Sequence, residues 1–120
     1  MKGTYLRFGL ASILLVTLMV TLSCAKSSTS PGPVPSPNTI TMGSTSFSPS
    51  SKTVTVGTTI SWVNNSGVTH TVTSDSGTEL NSGNIVNGGS YQHTFNTTGT
   101  FQYHCVYHQA MGMTGTVVVQ

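Results

Sequence analysis

From residue 39 onward, apolar and polar residues alternate in short runs. Thr39–Met42 opens the pattern, and residues 53–56 (TVTV) alternate strictly. Gly57 then turns the chain into residues 59–63, and the cluster Asn64-Asn65-Ser66-Gly67 separates that run from residues 68–73. Residues 90–96 place Tyr91, His93 and Phe95 on one face, and Phe101, Tyr103 and Cys105 share a face in the next run. Residues 114–120 close the chain. A period of two sends alternate side chains to opposite faces of a strand. β-branched and aromatic residues fill these runs, and Gly, Asn and Ser punctuate them. No segment after residue 24 has a helical period. Residues 74–90 are the least regular and predict a loop with a short strand near residues 84–86. The expected fold is all-β, an antiparallel Greek-key sandwich of about seven to eight strands.

The first 24 residues follow a different pattern. Lys2 and Arg7 form a positive start, and residues 8–25 carry no charge. The apolar stretch over residues 8–22 has the length of a signal segment and falls short of the roughly 20 residues a spanning helix needs. It ends in Thr21-Leu22-Ser23-Cys24, which resembles the lipobox of bacterial lipoproteins despite Thr21 where Leu is usual. That resemblance implies lipidation of Cys24 as the mature N-terminus, and a protein anchored to a membrane in the periplasm or at the cell surface. Residues 25–38 hold four of the five prolines and no aromatic residue. Such a stretch cannot bury enough apolar surface to fold and is expected to be an extended tether. The expected organisation is therefore a signal at 1–23, a lipidated cysteine and tether at 24–38, and a folded domain at 39–120.

The formal +2 of the whole chain belongs to Lys2 and Arg7. The remainder sets Lys26 and Lys52 against Asp75 and Glu79 and is neutral. Without clustered Lys and Arg to neutralise phosphates, nucleic-acid binding is excluded. Two cysteines are too few for a disulfide framework at this size.

Candidate chemistry concentrates in residues 101–119, FQYHCVYHQAMGMTGTVVV. Cys105, His108 and Met113 are spaced C-x2-H-x4-M on a loop between two predicted strands. Thiolate and thioether are soft ligands and imidazole is borderline, a set that favours copper. Zinc has little use for Met. So short a loop cannot close a site alone, and His70, just after the Asn64–Gly67 turn, is the best further ligand. Two His, one Cys and a weak axial Met make the ligand set of an electron-transfer copper site.

At these residues the chain resembles the small blue copper proteins, or cupredoxins, of the plastocyanin, amicyanin and pseudoazurin group. The marks are Trp62-Val63-Asn64-Asn65 leading to His70, then Gly99-Thr100-Phe101-x-Tyr103-x-Cys105-x2-His108, then Met113-x-Gly115-x-Val117. The resemblance covers residues 40–120 and implies one type 1 copper ion with His70, Cys105 and His108 as equatorial ligands and Met113 as the axial one. Met111 is the rival for the axial place, because amicyanin-like loops put Met there when counted from His108. Only Met113 satisfies the M-x-G-x-V that leads into the closing strand.

Other candidates carry structural expectations. His93 reads as a partly buried structural residue, and His104 as a surface residue facing away from Cys105, with a lateral electron path as its alternative. Thr71 is expected to brace the Cys105 loop, in a place where many relatives have Asn. Asp75 and Glu79 read as solvated, and Trp62 as core.

The resulting expectation is a one-electron carrier cycling Cu(I) and Cu(II), not an enzyme, tethered outside the cytoplasmic membrane. Its expected partners are transient redox proteins that meet it at a surface around His108 and Met111. It is expected to be monomeric. A copper-delivery lipoprotein and a purely structural β-sandwich lipoprotein are the alternatives. A multicopper oxidase or copper nitrite reductase would need a second domain and a His-rich catalytic copper site.

Overall fold

The structure, a computed structural model, describes residues 36–120. The expected signal segment, Cys24 and most of the expected tether lie outside the described residues.

Eight strands form two four-stranded sheets. The first contains β1 (Thr39–Met42), β2 (Phe47–Ser48), β4 (Thr59–Asn64) and β6 (Ser90–Thr94) in the order β2-β1-β4-β6. The second contains β3 (Ser51–Val54), β5 (Thr73–Ser74), β7 (Gly99–His104) and β8 (Thr114–Val119) in the order β3-β8-β7-β5. Both sheets are mixed rather than purely antiparallel: β1 runs parallel to β4, and β3 runs parallel to β8. Period-two patterning encodes which face a residue occupies, not the direction of its neighbour. The parallel pairs arise because the chain crosses to the second sheet for β3 before returning to lay β4 beside β1.

Alternation drives the packing. Ile60, Trp62 and Asn64 are the buried positions of β4, and Gly115, Val117 and Val119 those of β8. Trp62 of the first sheet meets Tyr103 of the second edge to face, with ring centroids 5.5 Å apart, and Phe47 meets the same Tyr103 at 4.9 Å. These rings, with Ile40, Met42, Phe95 and Val117, form one core between the sheets. Each such side chain contributes on the order of 1.5–3 kcal/mol when buried. Burial pushes the Tyr103 hydroxyl up to about 12, so it keeps its proton.

Gly115 explains part of the M-x-G-x-V pattern. It lies directly across from Tyr103 in the β7–β8 ladder. A β-carbon at Gly115 would collide with the Tyr103 ring and hydroxyl.

Two expected strands differ. The run at 68–73 does not form a full strand. His70 pairs with Ile85 through two backbone bonds (3.0 and 2.8 Å), while the Val72 N–H donates to Ser82 Oγ, and regular pairing begins only at Thr73. The expected strand near 84–86 is reduced to that single bridge. The lost ladder is the stretch that delivers His70 to the end of the sandwich.

Candidate metal centre

Three loops converge at one end of the fold. The first leaves β4 and turns through Asn64–Gly67 to His70. The second contains Ile85, which pairs with His70. The third joins β7 to β8 and carries Cys105, His108 and Met113.

The third loop is built by its own backbone. The His108 N–H donates to the Cys105 carbonyl (3.2 Å), and the Met111 and Met113 N–H groups both donate to the His108 carbonyl (3.0 and 3.2 Å). The Cys105 N–H donates to the Met113 carbonyl at 3.1 Å and closes the ring. Residues Gln109–Met111 form one 3-10 turn, ended by Gly112 in the left-handed region at φ 82°. A side chain there would be strained, which is the local reason for glycine.

Cys105 Sγ lies 3.6 Å from His70 Nδ1 and 3.5 Å from His108 Nδ1. Ligand atoms of all three residues lie within 4.8 Å of one another. Cys105, His70 and Met113 are fully buried, whereas Met111 is 67% exposed. The donor set is one thiol, two imidazoles and a buried thioether, with no carboxylate among them. It fits copper by its chemistry.

Burial, then the neighbouring His108, holds the His70 imidazole below its ordinary value of 6.5, and the Gly43 carbonyl offsets this only in part. A neutral imidazole is the form that can donate a lone pair to a metal.

Each expected residue can now be placed. His70, Cys105, His108 and Met113 come together. Met111 stays at the rim. Among the described residues Cys105 forms no disulfide. Thr71 braces the loop as expected: its Oγ1 accepts the Val106 N–H at 3.0 Å. His104 turns away from the site and binds Asp75 at 2.6 Å. His93 is part-buried, stacks edge-on against Phe95 and binds Glu79 at 2.7 Å. Asp75 and Glu79 are therefore not simply solvated, because each holds a histidine across a long sequence separation.

Two further residues support His70 through bonds that the sequence does not announce. Asn64 and Ser66, read as turn formers, lie beneath His70: Ser66 Oγ is 2.8 Å from His70 Nε2 and 2.8 Å from Asn64 Oδ1. The available signal was the period of β4, which puts Asn64 on the same face as Ile60 and Trp62. Most polar groups on a buried face are hydrogen-bonded, which makes a buried Asn a residue whose partners should be sought.

Comparison with known proteins points the same way. The family described as copper binding proteins, plastocyanin/azurin family, matches residues 36–120. Plastocyanin of Scenedesmus fuscus is 40% identical over 89 residues, covering 65% of this chain and 90% of the relative. The chloroplastic plastocyanin of Tetradesmus obliquus is 33% identical over 88 residues, covering 65% of this chain and 61% of the relative. Among solved structures, a purple cupredoxin from Nitrosopumilus maritimus superposes with a TM-score of 0.60 at 26% identity, over 68% of this chain and 98% of the other. A reduced-state mutant of amicyanin gives 0.63 at 27% identity, over 68% and 80%.

Proposed function

The chain belongs to the plastocyanin/azurin family of copper-binding proteins, and from that premise we propose that it is a one-electron carrier rather than an enzyme. The observation that carries the reading is the buried His70–Cys105–His108 cluster with Met113 closing the same loop. Copper held there supplies a Cu(I)/Cu(II) couple. The protein's part is to hold the donors in one arrangement. The backbone ring from Cys105 to Met113, the Thr71 brace and the His70–Ile85 bridge all fix ligand positions. Little reorganisation is then required when the charge of the site changes.

The surface at this end suits brief encounters. Val68, Val86, Val106, Tyr107 and Met111, all 43–67% exposed, belong to the loops around the cluster. His108 is only half-buried among them. Both acidic residues are tied to histidines elsewhere, so docking of a redox partner here is apolar and weakly dependent on salt.

Residues 1–38 support a membrane-tethered carrier outside the cytoplasm, by their charge pattern and the Ser23-Cys24 pair. Mass spectrometry of the mature N-terminus checks this: a diacylated Cys24 is expected, and an unmodified chain starting elsewhere overturns the anchor.

Electron transfer is tested by loading the purified full chain with Cu(II) and recording its visible and paramagnetic-resonance spectra. An intense thiolate-to-copper band that bleaches reversibly with reductant is expected. A pale complex with tight Cu(I) binding would instead indicate copper delivery.

A further inference from the structure

The loop beneath His70 does more than turn the chain. Asn64 is fully buried at the end of β4 and fixed on every side. Its side-chain Nδ2 donates to the Val68 and Ile85 carbonyls, each at 2.7 Å. Its backbone N–H donates to the Gly89 carbonyl (2.9 Å), and its own carbonyl accepts from the Gly88 N–H (2.6 Å). With Nδ2 committed to two acceptors, Oδ1 can face only Ser66. It accepts the Ser66 N–H at 3.0 Å and lies 2.8 Å from Ser66 Oγ.

The Ser66 hydroxyl has two acceptors, Asn64 Oδ1 at 2.8 Å and the Val68 carbonyl at 3.3 Å; the proton belongs on the shorter line, and on either it points away from His70. Ser66 Oγ then acts as an acceptor. It receives the Val68 N–H at 3.3 Å and faces His70 Nε2 at 2.8 Å. A hydroxyl whose proton is committed elsewhere can satisfy that ring nitrogen only by accepting from it, so Nε2 carries the hydrogen. His70 Nδ1 is left with a bare lone pair, directed at Cys105 Sγ.

From this chain of bonds we infer that Ser66, held by Asn64, is a positioning residue that locks His70 in the Nε2–H tautomer and so presents Nδ1 to the metal. The inference rests on the copper reading of the site but not on electron transfer. With the opposite tautomer, an N–H would point into the cluster and the ligand would have to lose it or flip. Partners of this kind to a ligating imidazole typically contribute about 10–100-fold to metal affinity.

The test is long-range proton–nitrogen correlation NMR of His70 in the metal-free full chain, combined with Cu(II) affinity. Wild type is expected to show hydrogen on Nε2. Ser66→Ala is expected to mix the tautomers and weaken Cu(II) binding by about 10–100-fold, while Ser66→Thr restores both, because it keeps the hydroxyl. A wild-type spectrum with hydrogen on Nδ1 overturns the inference whether or not the variants fold. So does a folded Ser66→Ala with wild-type tautomer and affinity. Failure of wild type to bind copper would instead sink the reading of the site and leave the tautomer result standing.

Discussion

Four histidines lie in this sequence, and the fold divides them into two pairs with different neighbours. His70 and His108 face each other, with ring centroids 4.9 Å apart, and both face a buried thiol. His93 and His104 each face one of the two acidic side chains in the sequence. A carboxylate near the first pair would favour the imidazolium and compete with a metal for the ring nitrogen. Placing both acids on the loop after β5 removes that competition. The same side chain thus becomes a ligand or a clasp according to what charge the fold brings to it.

The largest expected effect separates the pairs outright. Cys105→Ser or His70→Ala should abolish the intense copper band, whereas His93→Ala should leave its position and intensity unchanged. A spectrum altered as strongly by His93→Ala as by His70→Ala would break the division.

A second contrast sits within the metal loop. Met113→Leu should raise the reduction potential, because losing a thioether donor disfavours Cu(II) more than Cu(I). Met111→Leu, at an exposed position, should leave the potential near that of wild type. Protein-film voltammetry reads both, and a larger shift in the Met111 variant would reassign the axial ligand.

The third test uses pH on the metal-free protein. His70 has a lowered pKa in the fold, so the unfolded chain binds more protons as pH falls below 6.5. Its contribution to stability is complete above that value and lost below it. Thermal unfolding across this range should show Tm falling with acid in wild type. The slope should flatten in a His70→Gln variant that remains folded; an unchanged slope would remove His70 from the account.

The smallest effect belongs to the clasp. Glu79→Gln should change stability by no more than about 1 kcal/mol, since the pair is partly solvent-exposed. A larger loss in chemical denaturation would mean that the loop after β5 contributes more to the fold than its exposure implies.

Much of this was legible in the chain. Cys, His and Met within nine residues are rare enough to identify a soft-metal loop, and the faces read for Tyr91, His93 and Phe95 and for Phe101, Tyr103 and Cys105 are the inward ones. The pairings of Asp75 and Glu79 were not legible. They span 29 and 14 residues: Asp75 meets His104 because β5 pairs with β7 in one sheet, and Glu79 meets His93 on β6, an edge strand of the other. The contacts of Asn64 and Ser66 were hidden for another reason: both residue types form turns readily, so a turn accounts for them without any bond toward His70. Only the register of β4 turned Asn64 inward and made its hydrogen bonds obligatory.

By itself the sequence determined the ligand chemistry, the strand faces and the low charge of the folded part, because those follow from residue type and from a local period of two. Tertiary structure decided strand direction, which histidines meet acids, and where the proton on His70 resides. Those depend on which loops are brought together at the ends of the sandwich, and local periodicity carries no information about that.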